Sequence, residues 1–325
     1  MEVRMAWWQI VLIIIAAVAL LFILFANFEV AVILIPKSKL SKLLAWGPEP
    51  PPATPAQKVC RENRDAIIAK AKAWDEATPH TDNIIKTYDG LTLYATEYLQ
   101  PKPSHKWVLI AHGFHAPLKE PSEYGMYYYE KGYNVLTAEN RAHGRSDGKY
   151  ITMGWLDRLD YIQRINDIVA RDPEARIVLH GVSMGGATVM MVTGEKLPKN
   201  VVCAIEDCGY TSVWDEFTAQ AKNVLHMPAY PIVPLCSLVS RIRCGYSFKA
   251  ASSIKQVKKS VTPTLFIHGG NDTFVPTAMV YRNYGAASCP RDILIVKDAE
   301  HAMAKNQDPD LYWGKVFEFI SKYEK

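Results

Sequence analysis

The sequence predicts an α/β protein: a mostly parallel central sheet of about eight strands, helices on both faces and a short cap, preceded by one transmembrane helix. Three observations predict it. From about residue 83 strand-like and helical runs alternate. Several of the strand-like runs, such as Trp107–Ala111 and Thr264–Ile267, are apolar almost without a break, which fits strands buried on both faces. Ahead of all this, Ala6–Ala26 carries no charge.

That first run has about the length that spans a hydrocarbon core. Trp7 and Trp8 suit its interface with water. A cleaved signal peptide is the rival reading, but it calls for a shorter apolar core and small residues at the cut, where this chain has Leu24-Phe25-Ala26-Asn27-Phe28. Residues 1–35 are therefore read as a membrane anchor. Lys37, Lys39 and Lys42 follow the span and only Arg4 precedes it, which by positive-inside counting keeps the rest cytoplasmic. A short N-terminal tail and a Pro-rich stalk fit an exported domain instead, so the side stays open.

Residues 36–56 form a linker whose Pro48-Glu-Pro-Pro-Pro-Ala-Thr-Pro55 stretch is a stiff spacer with nothing to pack. Residues 57–325 form the main domain. It opens on an amphipathic helix over about 57–77, with Cys60, Ile67, Ala71 and Trp74 near one face. Strands follow at 84–88, 91–99, 107–112, 135–139, 177–180, 201–206, 264–268 and 293–296, the first two as a hairpin; helical stretches include 158–170 and 309–322. One interval, about 210–261, breaks the rhythm with helical pieces and prolines, and reads as an inserted cap.

Composition excludes more than it assigns. Hydrophobic residues at 49% supply a large core, and a net charge of +4 is too weak to argue for nucleic acid. The six cysteines show neither a C-x-x-C pair nor zinc spacing. Cys203 and Cys208 sit roughly 16 Å apart if extended, too far for a bridge. Cys236 and Cys244 could pair in an exported domain; buried free thiols are the plainer reading.

The chemistry centres on Gly181-Val-Ser183-Met-Gly185, which follows a strand and precedes a helix-forming stretch. A nucleophile at the tip of a strand needs a turn so tight that side chains two residues to either side would collide, and glycine removes them. The helix that follows aims its N-terminus and the Met184 amide at a developing oxyanion. Serine needs a base, and the base an orienting acid. Asp272 lies in the loop after one late strand and His301 in the loop after the last, so both reach the same end of the sheet as Ser183. Asp207 is the alternative acid, and an Asx turn is the plain reading of Asp272. The second oxyanion amide is assigned to Phe114, in the His112-Gly113-Phe114 turn. The Arg141–Gly148 loop is read as structural.

With His112-Gly113, Arg141 to Gly148, Gly181 to Gly185, Asp272 and His301 in this order, residues of about 83–322 resemble the α/β-hydrolase superfamily. The chain looks most like bacterial hydrolases of the serine aminopeptidase-like or lysophospholipase-like kind, and like membrane-anchored relatives with one N-terminal span. Arg141-Ala142-His143-Gly144 departs from the common Arg-Gly-His-Gly turn. The resemblance implies a serine hydrolase working through an acyl-enzyme, with no metal or organic cofactor. The apolar cap beside a membrane anchor points to an acyl ester or lipid substrate. The alternatives are a peptidase, for which Asp215 and Glu216 are too generic a pair of amine ligands to count, and a tethered binding protein on an inactive fold. Oligomeric state is not legible.

Overall fold

A computed structural model describes residues 6–36, 52–115 and 122–324. The Pro-rich run up to Pro51, and the basic residues Arg4, Lys37, Lys39 and Lys42, lie outside the described residues.

Eight strands form one sheet: β1 (Thr81–Lys86), β2 (Thr92–Tyr98), β3 (Lys106–Ala111), β4 (Asn134–Ala138), β5 (Arg176–Val182), β6 (Val201–Asp207), β7 (Thr264–Gly269) and β8 (Arg291–Val296). Their order is β1-β2-β4-β3-β5-β6-β7-β8. β1–β2 and β2–β4 are antiparallel, and every later pair is parallel. The expected opening hairpin and parallel remainder are both present. The apolar strands are the central ones, with β4 and β7 buried along their whole length. β1 exposes most of its residues at the sheet's edge.

Helices cover both faces. In chain order they are α1 (Trp7–Leu34), α2 (Pro55–Ala77), α3 (Ser122–Glu130), α4 (Asp157–Arg171), α5 (Met184–Thr193), α6 (Val213–Asn223), α7 (Ala229–Arg243), α8 (Ser253–Val257), α9 (Ala278–Ala286), α10 (Ala304–Gln307) and α11 (Pro309–Ser321). The amphipathic helix starts at Pro55, earlier than its periodicity indicates, because Thr54 caps it and Gln57 returns the bond. It buries Cys60, Ile67 and Ala71, as that periodicity requires. α5 is buried at every position and accordingly lacks a polar face. The interval between β6 and β7 holds α6, α7 and α8. The six cysteines are all buried and free, including Cys236 and Cys244.

α1 is long and apolar enough to cross a membrane, with a mean hydropathy of 3.1 over its most apolar stretch. It runs past the chargeless segment to Leu34, and its two parts differ. Trp7–Leu24 lies exposed on every side, whereas Ala26, Val30 and Leu34 form a buried stripe at four-residue spacing against α7. The Leu34 carbonyl accepts from the Ile151 amide at 2.8 Å. The end of α1 is thus docked directly on the domain.

The Arg141 loop is the structural clamp it was expected to be. Buried Arg141 donates through Nε and Nη2 to Asp160 of α4, at 2.6 and 2.7 Å, and also to Asp89 in the β1–β2 turn. Breaking a buried ion pair strands the remaining charge. Arg141→Ala should therefore lower unfolding free energy by about 3 kcal/mol, seen as a lower midpoint in chemical denaturation.

Candidate active site

Ser183 occupies the turn between β5 and α5 with φ 55° and ψ −115°, a left-handed backbone that side chains rarely adopt. Surroundings on both sides force it. A Cβ on Gly181 would lie 2.1 Å from the Gly185 carbonyl oxygen, and one on Gly185 would lie 1.9 Å from that of Ala111, the last residue of β3. The first clash is local and was legible in the motif. The second is tertiary: the helix start is pressed against the neighbouring strand.

Ser183 Oγ lies 2.8 Å from His301 Nε2, and His301 Nδ1 lies 2.7 Å from Asp272 Oδ2. A carboxylate only accepts, so the proton is on Nδ1 and Nε2 is left to accept from the serine hydroxyl. Asp272 is fixed from its other side. Its Oδ1 accepts from the amides of Phe274 (3.0 Å) and Val275 (2.9 Å), so the Asx turn and the histidine partnership coexist in one residue. The buried His268 also approaches Asp272 Oδ2, at 3.1 Å. Burial works to raise the Asp272 pKa, but hydrogen bonds from His268 and His301 outweigh it and hold the carboxyl below its ordinary value. Asp207 is elsewhere: its carboxylate accepts from Tyr312 at 2.9 Å, and its backbone carbonyl receives the Ser183 amide at 2.8 Å.

Phe114, Ser183 and Met184 line one cavity of about 410 Å³, so both residues assigned to the oxyanion amides face the serine's pocket. His112 supports that loop from behind. It accepts from the Asn140 amide at Nε2 and so donates from Nδ1 to the Gly113 carbonyl, and burial pulls its pKa down to keep it neutral. Cys208, Asp272 and His301 bring potential metal-ligand atoms within 4.8 Å of one another. Two of them are engaged in the hydrogen-bond chain, and burial pushes the Cys208 thiol well above its usual range, away from the thiolate a metal takes.

The rest of the pocket wall holds residues that the sequence did not single out. Phe28, Glu29, Val32 and Ile33 come from α1, and His115 follows the oxyanion loop. The one signal for the α1 residues is the break in apolarity at Asn27 and Glu29, just past the chargeless run. Glu216, dismissed as generic, also lines the cavity. It is 4% exposed; Oε1 accepts from Gln220 at 2.7 Å and Oε2 has no hydrogen-bond partner. Its neighbour Asp215 points to a different environment, paired with Arg282 and Thr211.

Comparison with known proteins agrees with this architecture. The family described as "Serine aminopeptidase, S33" matches residues 102–225. The uncharacterized protein YqkD of Bacillus subtilis (strain 168) is 25% identical over 225 residues, 69% of this chain and 73% of that one. Among solved structures, the Pyrococcus furiosus esterase Pf2001 superposes with a TM-score of 0.63 at 24% identity, over 77% of this chain and 94% of the esterase. Pyrococcus horikoshii acylaminoacyl peptidase does so with a TM-score of 0.58 at 16% identity, over 79% of this chain and 44% of its own. What these structures share with this chain is their fold.

Burial pushes Glu216 up to about 8, with the Gln220 amide opposing and the Asp272 charge adding. A carboxyl raised from its ordinary 4.5 stabilises the fold fully below that value and loses the contribution as pH climbs through 8. Glu216→Gln should abolish this loss. Thermal melts at pH 6 and pH 9 should show a larger alkaline drop for the native protein than for the variant.

Proposed function

From the α/β-hydrolase fold of this chain, we propose that it is a membrane-anchored serine hydrolase cleaving acyl esters of hydrophobic or lipid-like substrates. The observation that carries this is the continuous hydrogen-bonded chain Asp272–His301–Ser183, which opens on an apolar cavity.

His301 Nε2 takes the Ser183 proton as Oγ attacks the acyl carbon. The Phe114 and Met184 amides receive the oxyanion; Met184 is the first residue of α5, where helix N–H groups lack internal partners. Asp272 keeps the imidazole in its Nδ1–H form and stabilises the positive ring. The ring then protonates the leaving alkoxide. Water activated by the same nitrogen attacks the acyl-enzyme, and the acid departs. The Phe274 ring packs beside His301, at 4.9 Å between centroids, which limits the ring's movement.

Glu216 favours a second reading. A buried carboxyl with an unpartnered oxygen in the pocket can receive a cationic amine, which an aminopeptidase must bind. In that event the amine would draw Glu216 back to its charged form. A series of p-nitrophenyl esters of rising chain length, run beside aminoacyl anilides, separates the two. A rate highest on an anilide would replace the esterase reading with the peptidase one.

Ser183→Ala should lose fluorophosphonate labelling and at least about a thousandfold of ester turnover. Asp272→Asn should keep the fold and lose about 10⁴-fold in kcat, by presenting the wrong tautomer. If the native protein takes no label, the chain is a tethered binding protein instead.

A further inference from the structure

We propose that the inner part of α1, Phe25–Leu34, is a wall of the substrate pocket, and that the pocket receives its substrate, a lipid ester, sideways from the bilayer. The inference rests on the ester-hydrolase reading and adds where the substrate comes from.

The division of α1 supplies the geometry. The exposed part, Trp7–Leu24, is roughly 27 Å long at 1.5 Å per residue, about the thickness of a hydrocarbon core. Directly after it the helix meets the domain. Cys236 Sγ contacts the Ala26 carbonyl at 3.9 Å, and Arg243 lies 3.4 Å from the Asn27 side-chain and main-chain oxygens. His115, next to the oxyanion loop, hydrogen-bonds the Ile33 backbone. The helix that fits the membrane is therefore tied within a few residues of the loop that would hold the oxyanion.

The pocket is shaped for such a route. Phe28, Val32 and Ile33 face the cavity that contains Ser183. A further void of about 60 Å³ lies between α1 and the cap helices, and shares Ile33, Phe217 and Leu225 with it. The two voids together present a mostly apolar slot along α1, with Glu29 and Gln220 as its shared polar residues, a shape that suits an alkyl chain.

The outer face of the cap carries the complementary surface. α7 runs so that Val233 shares a void with Val30 and Leu34, while Arg243 reaches Asn27, and its C-terminal end therefore lies where the bare span begins. There Leu238 and Ile242, one turn apart, are 53% and 74% exposed. Arg241 lies exposed beside Ile242, placed for lipid phosphates, while Arg243 is turned to Asn27 and the Tyr150 hydroxyl. Apolar side chains bare to water beside a membrane-spanning helix, with a cation at the boundary, fit a lipid surface.

The test uses the full-length protein reconstituted in phosphatidylcholine–phosphatidylglycerol vesicles. The probes are 4-methylumbelliferyl oleate dissolved in the bilayer and p-nitrophenyl acetate in water. Leu238→Glu combined with Ile242→Glu should lower oleate hydrolysis at least tenfold and leave acetate hydrolysis within twofold. Val32→Trp should lower the oleate-to-acetate ratio of kcat/KM at least tenfold. If both variants keep the native ratio, the proposal is overturned. It is equally overturned if the double variant changes only the oligomeric mass, which gives that face to a second copy of the chain. If the native protein cleaves neither probe and Ser183 takes no fluorophosphonate, it is the ester-hydrolase reading that fails. Acetate cleavage without oleate cleavage removes the lateral route alone.

Discussion

The close approach of backbone at Ser183 is the constraint on which the site depends. The turn from β5 into α5 leaves no room for a Cβ at Gly181 or Gly185, and it holds Ser183 at a positive φ. That strain persists because the elements around it are fixed: β3 on one side, and on the other β6, whose Asp207 carbonyl takes the Ser183 amide. The parallel sheet makes this possible. Its central strands end at one edge, so loops distant in sequence converge on one point. His301 is 118 residues from Ser183 along the chain and 2.8 Å from it in space.

Around that point, charge is arranged in layers. Asp272 is kept ionised by donors on both of its oxygens, whereas Glu216, in the pocket wall, lies in a place that favours its neutral form. Two buried carboxyl groups, one in the pocket wall and one behind His301, are thereby held in opposite tendencies by hydrogen bonding in one case and burial in the other. The Arg141 clamp lies further out. It joins the β1–β2 turn to α4 and has its charges satisfied within the scaffold.

α1, long and apolar enough to cross a membrane, joins this interior in a way that the Pro-rich segment alone did not suggest. A proline spacer implies a domain held at a distance, yet α1 itself supplies pocket wall. Its polar interruptions, Asn27 and Glu29, fall where the helix leaves its exposed part and meets protein. They mark a change of surroundings within one unbroken helix, which a window of hydropathy averages away.

The sequence by itself determined what repeats locally or follows chain order. Alternating runs gave the eight strands, and the doubled glycines around Ser183 gave the turn, because both are set by neighbours a few residues away. Asp272 and His301 could be picked out because each sits in the loop following a strand of a parallel sheet, so chain order alone sends them to the same edge. Tertiary structure decided what depends on distant contact: that Asp272 and not Asp207 meets His301, that Glu216 is buried in the pocket while Asp215 pairs outside it, and that Phe28, Val32 and Ile33 face the serine. The physical reason is the same in each case. Which way a side chain faces, and whether its charge has a partner, is fixed by elements packed from elsewhere in the chain, and no local pattern records it.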